Sequence, residues 1–374
     1  MRSLLLLFLA LLAIPASVAA QYSRFTVSPL AVLPADSLLK TRMLTSLDGF
    51  LRDKDHPEQP SLYTDSAYLK HYTMGFDEIV RIENSKKYSD SNFFRPQLLN
   101  VIRLKQSGEY LIKLGFMGMN NGQPIIRKIY SMVGKDRQDR IVFYPAIDWV
   151  VRNWNRQQVG NIHYVYPHML DMDAARRFDR FNTELAGWFG VKPVELLYYD
   201  CSNAQELLRI KGVDYDASAN YLRRGDSDED NNIFMSGVGS PWYAHDLVHF
   251  YCAKFLPRPV NRAAEEGLAY YADGAWGESF EACLVVLKKY VEDHPGEDLY
   301  QTFKKAVTVG DISLKYTINA LLLKDKIRRQ GIRQALEVLK TENTDEGLDK
   351  SLQTHFGLTS GNFNEKIRKL LAAS

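Results

Sequence analysis

Apolar residues along the first 150 positions predict one helix followed by a run of strands. Asp36 or Ser37 can cap a helix whose apolar residues recur every three or four positions, namely Leu38, Leu39, Met43, Leu47 and Leu51. Short apolar runs follow at residues 99–104, 110–116, 125–133 and 141–143. Asn121 and Gly122 separate the second and third runs, which is typical of a tight hairpin. We therefore expect residues from about 35 to 150 to form a helix packed on an antiparallel meander.

A second pattern begins near Asn161. Apolar runs at 162–166 and 194–199 predict strands, and between them Asp171 or Asp173 can cap a helix that Gly190 ends. A polar loop at 223–232 leads to a short strand at 233–235, and helical spacing dominates from residue 277 to the end. The expected fold class is α+β, with a signal peptide at 1–20, an N-terminal α+β domain at 21–155 and a second domain at 156–374.

Composition and charge narrow the class of protein. The chain has 374 residues, of which 45% are hydrophobic and 25% are charged, as in ordinary globular proteins of two domains. The formal net charge is +2, and the basic residues are interspersed with acidic ones. This distribution gives no electrostatic reason to expect binding to nucleic acid or to an anionic membrane surface.

The first twenty residues have the pattern of a secretory signal peptide. Arg2 precedes an apolar run at 4–14, and small residues at 16–20 predict cleavage after Ala20. The alternative is an uncleaved anchor, but the run is short for a bilayer, and no later stretch is long enough to span one. We expect an exported protein, periplasmic or extracellular and of bacterial type, with no stable membrane span after cleavage. Its three cysteines, Cys201, Cys252 and Cys283, are expected to be buried free thiols.

The residues that carry chemistry lie between positions 243 and 271. His245 and His249 are four residues apart, so on a helix they project from one face and can share one ion. Glu266 follows seventeen residues later and can complete a set of two histidines and one carboxylate. Three protein ligands leave the fourth zinc position open, which is the arrangement of catalytic sites. A His-x-x-x-His pair alone is weak evidence of metal binding, because it occurs by chance on helix surfaces.

The block Glu-Gly-Leu-Ala at 266–269 strengthens this interpretation. Together with the histidine pair, it resembles the gluzincin superfamily, and more closely the bacterial peptidase MA-like group, in which a His-Glu-x-x-His helix precedes a helix opening with this block. The similarity covers residues from about 160 to 374, with 233–235 at the position of the family's edge strand beside the substrate. It implies that Zn²⁺ is held by His245, His249 and Glu266 and that a peptide or protein is the substrate or partner. The element order of the N-terminal domain resembles the nuclear-transport-factor-like fold.

Neighbouring residues have roles that the pattern leaves open. Glu265 is an alternative ligand, but its direction on a helix differs from that of Glu266 by about 100°. The resemblance implies that Tyr316 could steady the oxyanion, although packing is the simpler role. Asp273 could orient a ligand histidine, although solvation at the helix end is the simpler role. Tyr270 and Tyr271 are expected in the core or behind the ligands.

Asp246 stands where the family has its catalytic glutamate. Asp keeps the carboxylate but shortens the reach by roughly 1.5 Å, and a misplacement of about 1 Å can cost about a hundredfold in rate. The helix could lie closer to the metal, the enzyme could be slow, or the protein could bind without cutting. A solvated helix residue is the fourth alternative.

Two other motifs are weaker. Residues 226–230 imitate the start of a calcium loop, but Asn231 and Gly237 occupy positions that need glycine and glutamate. The adjacent residues His245 and Asp246 also resemble the His-Asp pair of metal-dependent phosphohydrolases. That interpretation leaves the Glu-Gly-Leu-Ala block unexplained. The sequence thus predicts an exported zinc-dependent peptidase, with a catalytically inactive binding or scaffold protein of the cell envelope as the alternative. It does not predict the oligomeric state.

Overall fold

The computed structural model describes residues 23–57, 59–72, 74–105, 108–219 and 225–374. The predicted signal peptide at 1–20 lies outside the described residues. The chain forms two compact units, one of Met1–Trp149 with Arg209–Ala219 and one of Val150–Leu208 with Asn220–Ser374. The protein is of mixed α+β class with several small sheets.

The first unit contains the predicted helix and meander. Its elements are β1 (Thr26–Val27), α1 (Ser37–Asp53), α2 (Ser66–Leu69), a 3-10 turn (Asp77–Ile79), β2 (Arg95–Arg103), β3 (Glu109–Asn120), β4 (Gln123–Asp136), β5 (Ile141–Pro145), α3 (Ile147–Val150), which ends at the boundary, and β9 (Val213–Asp216). The strands β2 to β5 are antiparallel neighbours in chain order, as predicted. β1 lies parallel to β2 at one side, and β9 pairs with β4.

Local sequence explains the elements of this unit. Asp36 caps α1 by accepting from Leu39 N at 2.8 Å, and the helix packs Phe50 against Phe143 of β5 with ring centroids 5.1 Å apart. Asn121 and Gly122 have positive φ angles of 50° and 76°, which a two-residue turn between β3 and β4 requires. The predicted cap and hairpin are therefore confirmed.

A segment of the second half of the chain belongs to the first unit. Residues Arg209–Ala219 bring β9 alongside β4, although the sequence pattern assigned them to the domain at 156–374. A buried ion cluster accompanies this pairing, because Glu78 lies 2.7 Å from Lys128 Nζ of β4 and 2.8 Å from Lys211 Nζ. The division between units falls at 149/150 rather than 155/156. The pattern of apolar residues does not predict such an insertion, because β9 pairs with β4, a strand far away in the sequence.

The second unit begins with a five-stranded sheet. Its first elements are β6 (Asn155–Val159), β7 (Ile162–Tyr166), α4 (Met172–Phe189), β8 (Leu196–Asp200), α5 (Ala204–Ile210), β10 (Gly225–Asp228) and β11 (Ile233–Ser236). The order across the sheet is β10-β11-β8-β7-β6, with the three central strands parallel. Asp171 caps α4 and Gly190 ends it at φ 69°, as the sequence predicts.

The expected position of the edge strand is wrong. All four residues of β11 are buried, and the strand lies between β8 and β10 rather than at the edge. Within the described residues, β10 and β6 are the two edge strands of this sheet, and the sequence pattern assigned β10 to a polar loop. The sequence of β10, Gly-Asp-Ser-Asp, has no apolar alternation by which a strand could be recognised.

Helices complete the second unit. They are α6 (Ala244–Phe255), α7 (Arg262–Asp273), α8 (Phe280–Asp293), α9 (Leu299–Lys304), α10 (Leu314–Gln330), α11 (Ile332–Leu336), a 3-10 turn (Glu337–Leu339), α12 (Asp345–Phe356) and α13 (Phe363–Ala372), with a two-stranded ribbon of β12 (Thr308–Val309) and β13 (Ile312–Ser313). One apolar core lies between the sheet, α4 and α6, and a second lies among the helices from α7 onward. α7 contributes to both cores, so it is held from two sides.

Two further expectations concern cysteines and membranes. All three cysteines are buried and free, as expected. Within the described residues, no helix combines the length and apolar character that crossing a membrane needs.

Candidate metal centre

The first helix of the site, α6, presents its histidines opposite its buried face. Leu247, Val248 and Phe250 pack into the core of the sheet and helices, while His245 and His249 lie on the accessible side, one turn apart. Tyr243 precedes the helix and makes no side-chain cap. The missing cap is supplied by Asp273, at the end of α7, whose carboxylate accepts from the backbone N–H of His245.

The second helix, α7, is fixed at its start by Asn261. The Asn261 side chain accepts from Ala264 N at 3.3 Å and donates to the carbonyl of Glu342 at 2.7 Å. These bonds hold the first turn of α7 against the loop that precedes α12. Glu265 and Glu266 follow within that turn, so their positions are set by a capped and anchored helix end.

Three ligand atoms converge between the two helices. His245 Nε2 and His249 Nε2 are 3.3 Å apart. Glu266 Oε2 lies 3.4 Å from His245 Nε2 and 3.6 Å from His249 Nε2. His245, Asp246 and His249 also form a group whose ligand atoms lie within 4.8 Å of one another, and this group could hold a metal ion. Two carboxylates, those of Asp246 and Glu266, therefore lie beside the imidazoles. Glu266 Oε2 lies within 3.6 Å of the Nε2 atoms of both rings.

Each imidazole is oriented through its other nitrogen. His245 Nδ1 lies 2.8 Å from the carbonyl oxygen of Gly274, and His249 Nδ1 lies 2.9 Å from Glu265 Oε1. A carbonyl or a carboxylate can only accept, so both Nδ1 atoms carry the proton. When both rings are neutral, the lone pairs of both Nε2 atoms therefore face the same point, which is the state that a metal ion requires.

The two adjacent glutamates have different partners. Glu265 is buried and contacts His249 Nδ1, whereas Glu266 directs Oε2 at both Nε2 atoms. Arg262 lies one turn earlier and contacts Glu266 Oε1 at 2.7 Å, which leaves Oε2 for a metal ion. The helical rotation between neighbouring residues thus directs the Glu265 carboxylate to His249 Nδ1 and the Glu266 carboxylate to the convergence point.

The charges of the site shift its pKa values in opposite directions. Burial acts to lower the pKa of His249, but its hydrogen bonds to Glu265 and Glu266 outweigh burial and raise the pKa to about 9. Burial acts to raise the pKa of Glu266, and hydrogen bonds with His245 and His249 instead hold it well below its usual value. A positive charge is therefore favoured at the convergence point, and in the metal-free protein a proton supplies it.

Asp246 lies beside the ligands on the first turn of α6. It accepts a hydrogen bond from the Tyr243 hydroxyl, and burial raises the pKa of its carboxyl, although the charges of His245 and His249 oppose the rise. β10 approaches it so closely that a Cβ on Gly225 would overlap Asp246 Oδ2. Asp246 is therefore a half-buried carboxylate held between α6 and β10 and not a solvated helix residue.

Tyr316, Tyr270 and Asp273 take distinct positions. Tyr316 is on the first turn of α10, not before the helix, and lines the same cleft as the histidines. Tyr270 is buried between Tyr316 and His245, with ring centroids 5.5 Å and 5.7 Å away. Asp273 accepts from Trp242 Nε1 at 2.8 Å and caps α6, so it positions the helix and does not contact an imidazole nitrogen.

A cleft of about 620 Å³ opens onto the convergence point. Its wall is rich in aromatic side chains and includes Arg177, Trp242, Tyr243, Tyr270, Trp276 and Tyr316. A second cavity of about 350 Å³ lies on the other side of Asp246 and is bordered by β10 and Arg258. Asp246, His249 and Arg262 border both cavities, so the centre is reached from two sides.

The structure brings together every candidate of the sequence pattern: His245, Asp246, His249, Glu266 and Tyr316. The motif did not indicate the carbonyl of Gly274, Arg262 or the role of Glu265 behind His249. The sequence contains a signal for Arg262, because it lies one helical turn before the acidic residue Glu266. No local sequence pattern indicates that the carbonyl of Gly274 contacts His245. Acidic residues 226–230 lie partly on β10 and partly in its turn, where Asn231 donates to Asp228 at 3.1 Å.

Comparisons with known proteins give no relative. No protein-family model matches the chain, and neither the curated proteins nor the solved structures include a match to it. The site's own geometry therefore carries the functional argument.

Proposed function

We propose that this protein is an exported zinc-dependent peptidase with a gluzincin-type domain. The observation that carries the proposal is the convergence of two oriented imidazole nitrogens and one carboxylate oxygen at the wall of a large cleft. Export rests on the sequence of residues 1–20. The nuclear-transport-factor-like interpretation of the first unit rests on its helix and meander alone.

The spacing of the donor atoms supports zinc. A tetrahedral zinc ion with bonds of about 2.0–2.1 Å has ligand atoms about 3.3–3.4 Å apart. The three distances among His245 Nε2, His249 Nε2 and Glu266 Oε2 are 3.3, 3.4 and 3.6 Å. Two imidazoles and a carboxylate are also the donor set of zinc sites that keep one position for water.

The neighbouring residues support hydrolysis. A zinc ion bound there supplies a Lewis acid and lowers the pKa of a bound water. Asp246, beside the ligands, would accept a proton from the attacking water and pass it to the leaving amine, and burial raises the pKa of its carboxyl. The Tyr316 hydroxyl, in the same cleft, can donate to a developing oxyanion.

The sheet supports an extended substrate. β10 is the edge strand on the side of the metal centre, and its Gly225 lies against Tyr243 and Asp246. An extended peptide can add to such an edge through main-chain hydrogen bonds. The order of strand, helix, strand and then the two ligand helices is the one that the gluzincin resemblance implies.

One observation favours the alternative of a non-catalytic binding protein. Asp246 is engaged by Tyr243 and held between α6 and β10, with a side chain one methylene shorter than the catalytic glutamate of the resemblance. A carboxylate restrained in this way can bind a peptide and orient it, but it is too short and too fixed to reach a reacting peptide bond easily. Metal binding is common to both candidates, and only hydrolysis separates them.

The test combines metal analysis with a peptide library. The protein, purified without added metal, should contain about one zinc per chain, and His245→Ala should lose it. The zinc-loaded protein should cleave members of a broad peptide library, and Asp246→Ala should abolish cleavage while retaining zinc, because Asp246 is not among the three converging ligands. His294→Ala, at an exposed histidine that follows the end of α8, is the matched control and should change neither result.

Zinc binding and peptide cleavage are tested independently, so each can be rejected without the other. Absence of zinc in the wild-type protein, even after zinc is offered, rejects the metal centre. Zinc without cleavage of any peptide rejects the peptidase and leaves the binding protein. An increase in cleavage in Asp246→Glu would identify the wild type as an enzyme limited by the shorter carboxylate.

A further inference from the structure

One cation in the cleft is not used by the metal centre. Arg177 of α4 is exposed and lines the cleft that holds His245 and His249. Its guanidinium carbon lies 3.8 Å from the centroid of the Trp242 ring, a stacked arrangement. Among the described residues, no carboxylate lies within 4.0 Å of its nitrogen atoms. Arg177 thus presents a positive charge to the cleft, with no carboxylate paired to it in the part of the chain that the structure describes.

The platform beneath Arg177 is rigid. Trp242 donates its indole N–H to Asp273 at 2.8 Å and packs on Phe181 with ring centroids 5.8 Å apart. The carboxylate of Asp273 interacts electrostatically with Arg177. Its oxygen atoms accept hydrogen bonds from the indole N–H of Trp242 and from the backbone N–H of His245. A guanidinium stacked on a ring keeps its N–H groups in the plane available for a ligand.

Among the described residues, the one other arginine that lines this cleft is already paired. Arg262 contacts both Glu265 and Glu266. Arg176, the neighbour of Arg177 on α4, contacts Asp173 at 3.3 Å and does not line the cleft. Within the described residues, the cleft therefore has one guanidinium that is not paired with a carboxylate. It stacks on Trp242, whose indole is held by Asp273, the same residue that caps α6.

We propose that Arg177, stacked on Trp242, is the subsite that binds a carboxylate group of the peptide substrate. The inference rests on the proposed function, because it is the peptide that brings the carboxylate. A planar guanidinium binds a carboxylate with two parallel hydrogen bonds, and the aromatic surface fixes its orientation beforehand. The cleft selects peptides that carry such a group while their backbone reaches the metal centre.

A peptide has two sources of carboxylate, and matched probes separate them. A fluorescein-labelled hexapeptide of alanine and phenylalanine is prepared in four forms, with a C-terminal acid or amide and with a central glutamate or glutamine. Fluorescence anisotropy measures the Kd of each form for the zinc-loaded protein. Preference for the acid over the amide identifies an α-carboxylate subsite, and preference for glutamate over glutamine identifies a side-chain subsite.

The variants then assign the preference to Arg177. In Arg177→Gln the preferred form should bind roughly tenfold more weakly, the loss typical of one charge-assisted contact at an accessible site. Arg177→Lys should be intermediate, because it keeps the charge without the planar contact. Arg176→Gln is the matched control, one residue away on the same helix, and should bind like the wild type.

The outcomes separate this inference from the proposed function. Equal Kd values for all four forms, no measurable binding of any form up to about millimolar concentration, or equal losses in Arg176→Gln and Arg177→Gln overturn the carboxylate subsite. Cleavage of library peptides without preference for a carboxylate rejects the subsite and retains the peptidase. An Arg177-dependent binding preference without cleavage retains the subsite and rejects the peptidase.

Discussion

At the scale of single residues, the centre depends on atoms behind the ligands. The His-x-x-x-His spacing brings the two rings together, but the proton positions follow from Gly274 O and Glu265 Oε1, which hold the Nδ1 atoms. Without those acceptors, either ring could turn its protonated nitrogen toward the convergence point and repel a cation. Glu265 is therefore a positioning residue, although a motif search treats it as an alternative ligand.

Replacing Glu265 by glutamine tests this role. Glutamine keeps the shape but removes the charge that increases the basicity of His249, so zinc affinity should fall roughly tenfold to a hundredfold. Chelator competition at fixed pH measures the affinity. Glu292→Gln on α8 removes a charge remote from the centre and should leave the affinity unchanged. An unchanged affinity in Glu265→Gln would show that Glu265 only packs against the ring.

At the scale of elements, the close crossing of α7 and α10 positions Glu266. Gly267 follows Glu266, and a Cβ there would overlap Asn319 Cβ and lie 3.1 Å from the backbone carbonyl carbon of Asn319. Asn319 also donates to the carbonyl of Ala263 at 3.0 Å, which ties the two helices together. Glycine at 267 thus has a packing role, in addition to its place in the Glu-Gly-Leu-Ala block.

Gly267→Ala should separate these helices and destabilise the protein. The backbone of α10 cannot move aside cheaply, so the free energy of unfolding should fall by about 1–3 kcal/mol. Gly187→Ala on α4 is the control, since its Cβ would meet no atom within 4 Å, and alanine in a helix should add about 0.5–1 kcal/mol. Urea unfolding measures both. Destabilisation of equal size in the two variants would contradict the crossing as the cause.

Elements with clear periodicity were predictable, and polar edge strands were not. The caps at Asp36, Asp171 and Gly190 act within a few residues of their helices, so the local sequence contains them in full. β6 and β10 have the sequences Asn-Arg-Gln-Gln-Val and Gly-Asp-Ser-Asp, which lack an apolar face. Such strands form because a neighbouring strand offers hydrogen bonds, and that neighbour is known only from the fold.

At the scale of the whole molecule, a buried ion cluster accompanies the inserted segment of the first unit. Glu78 contacts both Lys128 and Lys211, and both lysines are less than 10% exposed. Burial acts to raise the pKa of Glu78, but the charges of Lys211 and Lys128 outweigh it and lower the pKa to about 2. The folded state therefore prefers the ionised carboxylate, and this preference stabilises the fold.

Glu78→Gln should reduce stability in a pH-dependent manner. The folded pKa of about 2 lies below the usual 4.5, so the contribution is complete above about pH 4.5 and is lost as pH falls toward 2. The wild type should exceed the variant by about 2–3 kcal/mol in unfolding free energy at pH 7. Urea unfolding at pH 7, 5, 4 and 3 should show a constant difference down to pH 5 and a shrinking one below it. A difference that stays constant to pH 3 would contradict the ion cluster.

The sequence by itself determined the helix faces, the caps, the hairpin and the residues that converge at the centre. Each of these follows from spacing within one turn or one strand, where side-chain direction is fixed by the backbone. The tertiary structure decided the acceptors behind the histidines, which lie 29 and 16 residues away in the chain. It also decided the edge strand, the insertion of Arg209–Ala219 and the stacking of Arg177 on Trp242. These contacts depend on how whole elements pack, and no local pattern encodes that packing.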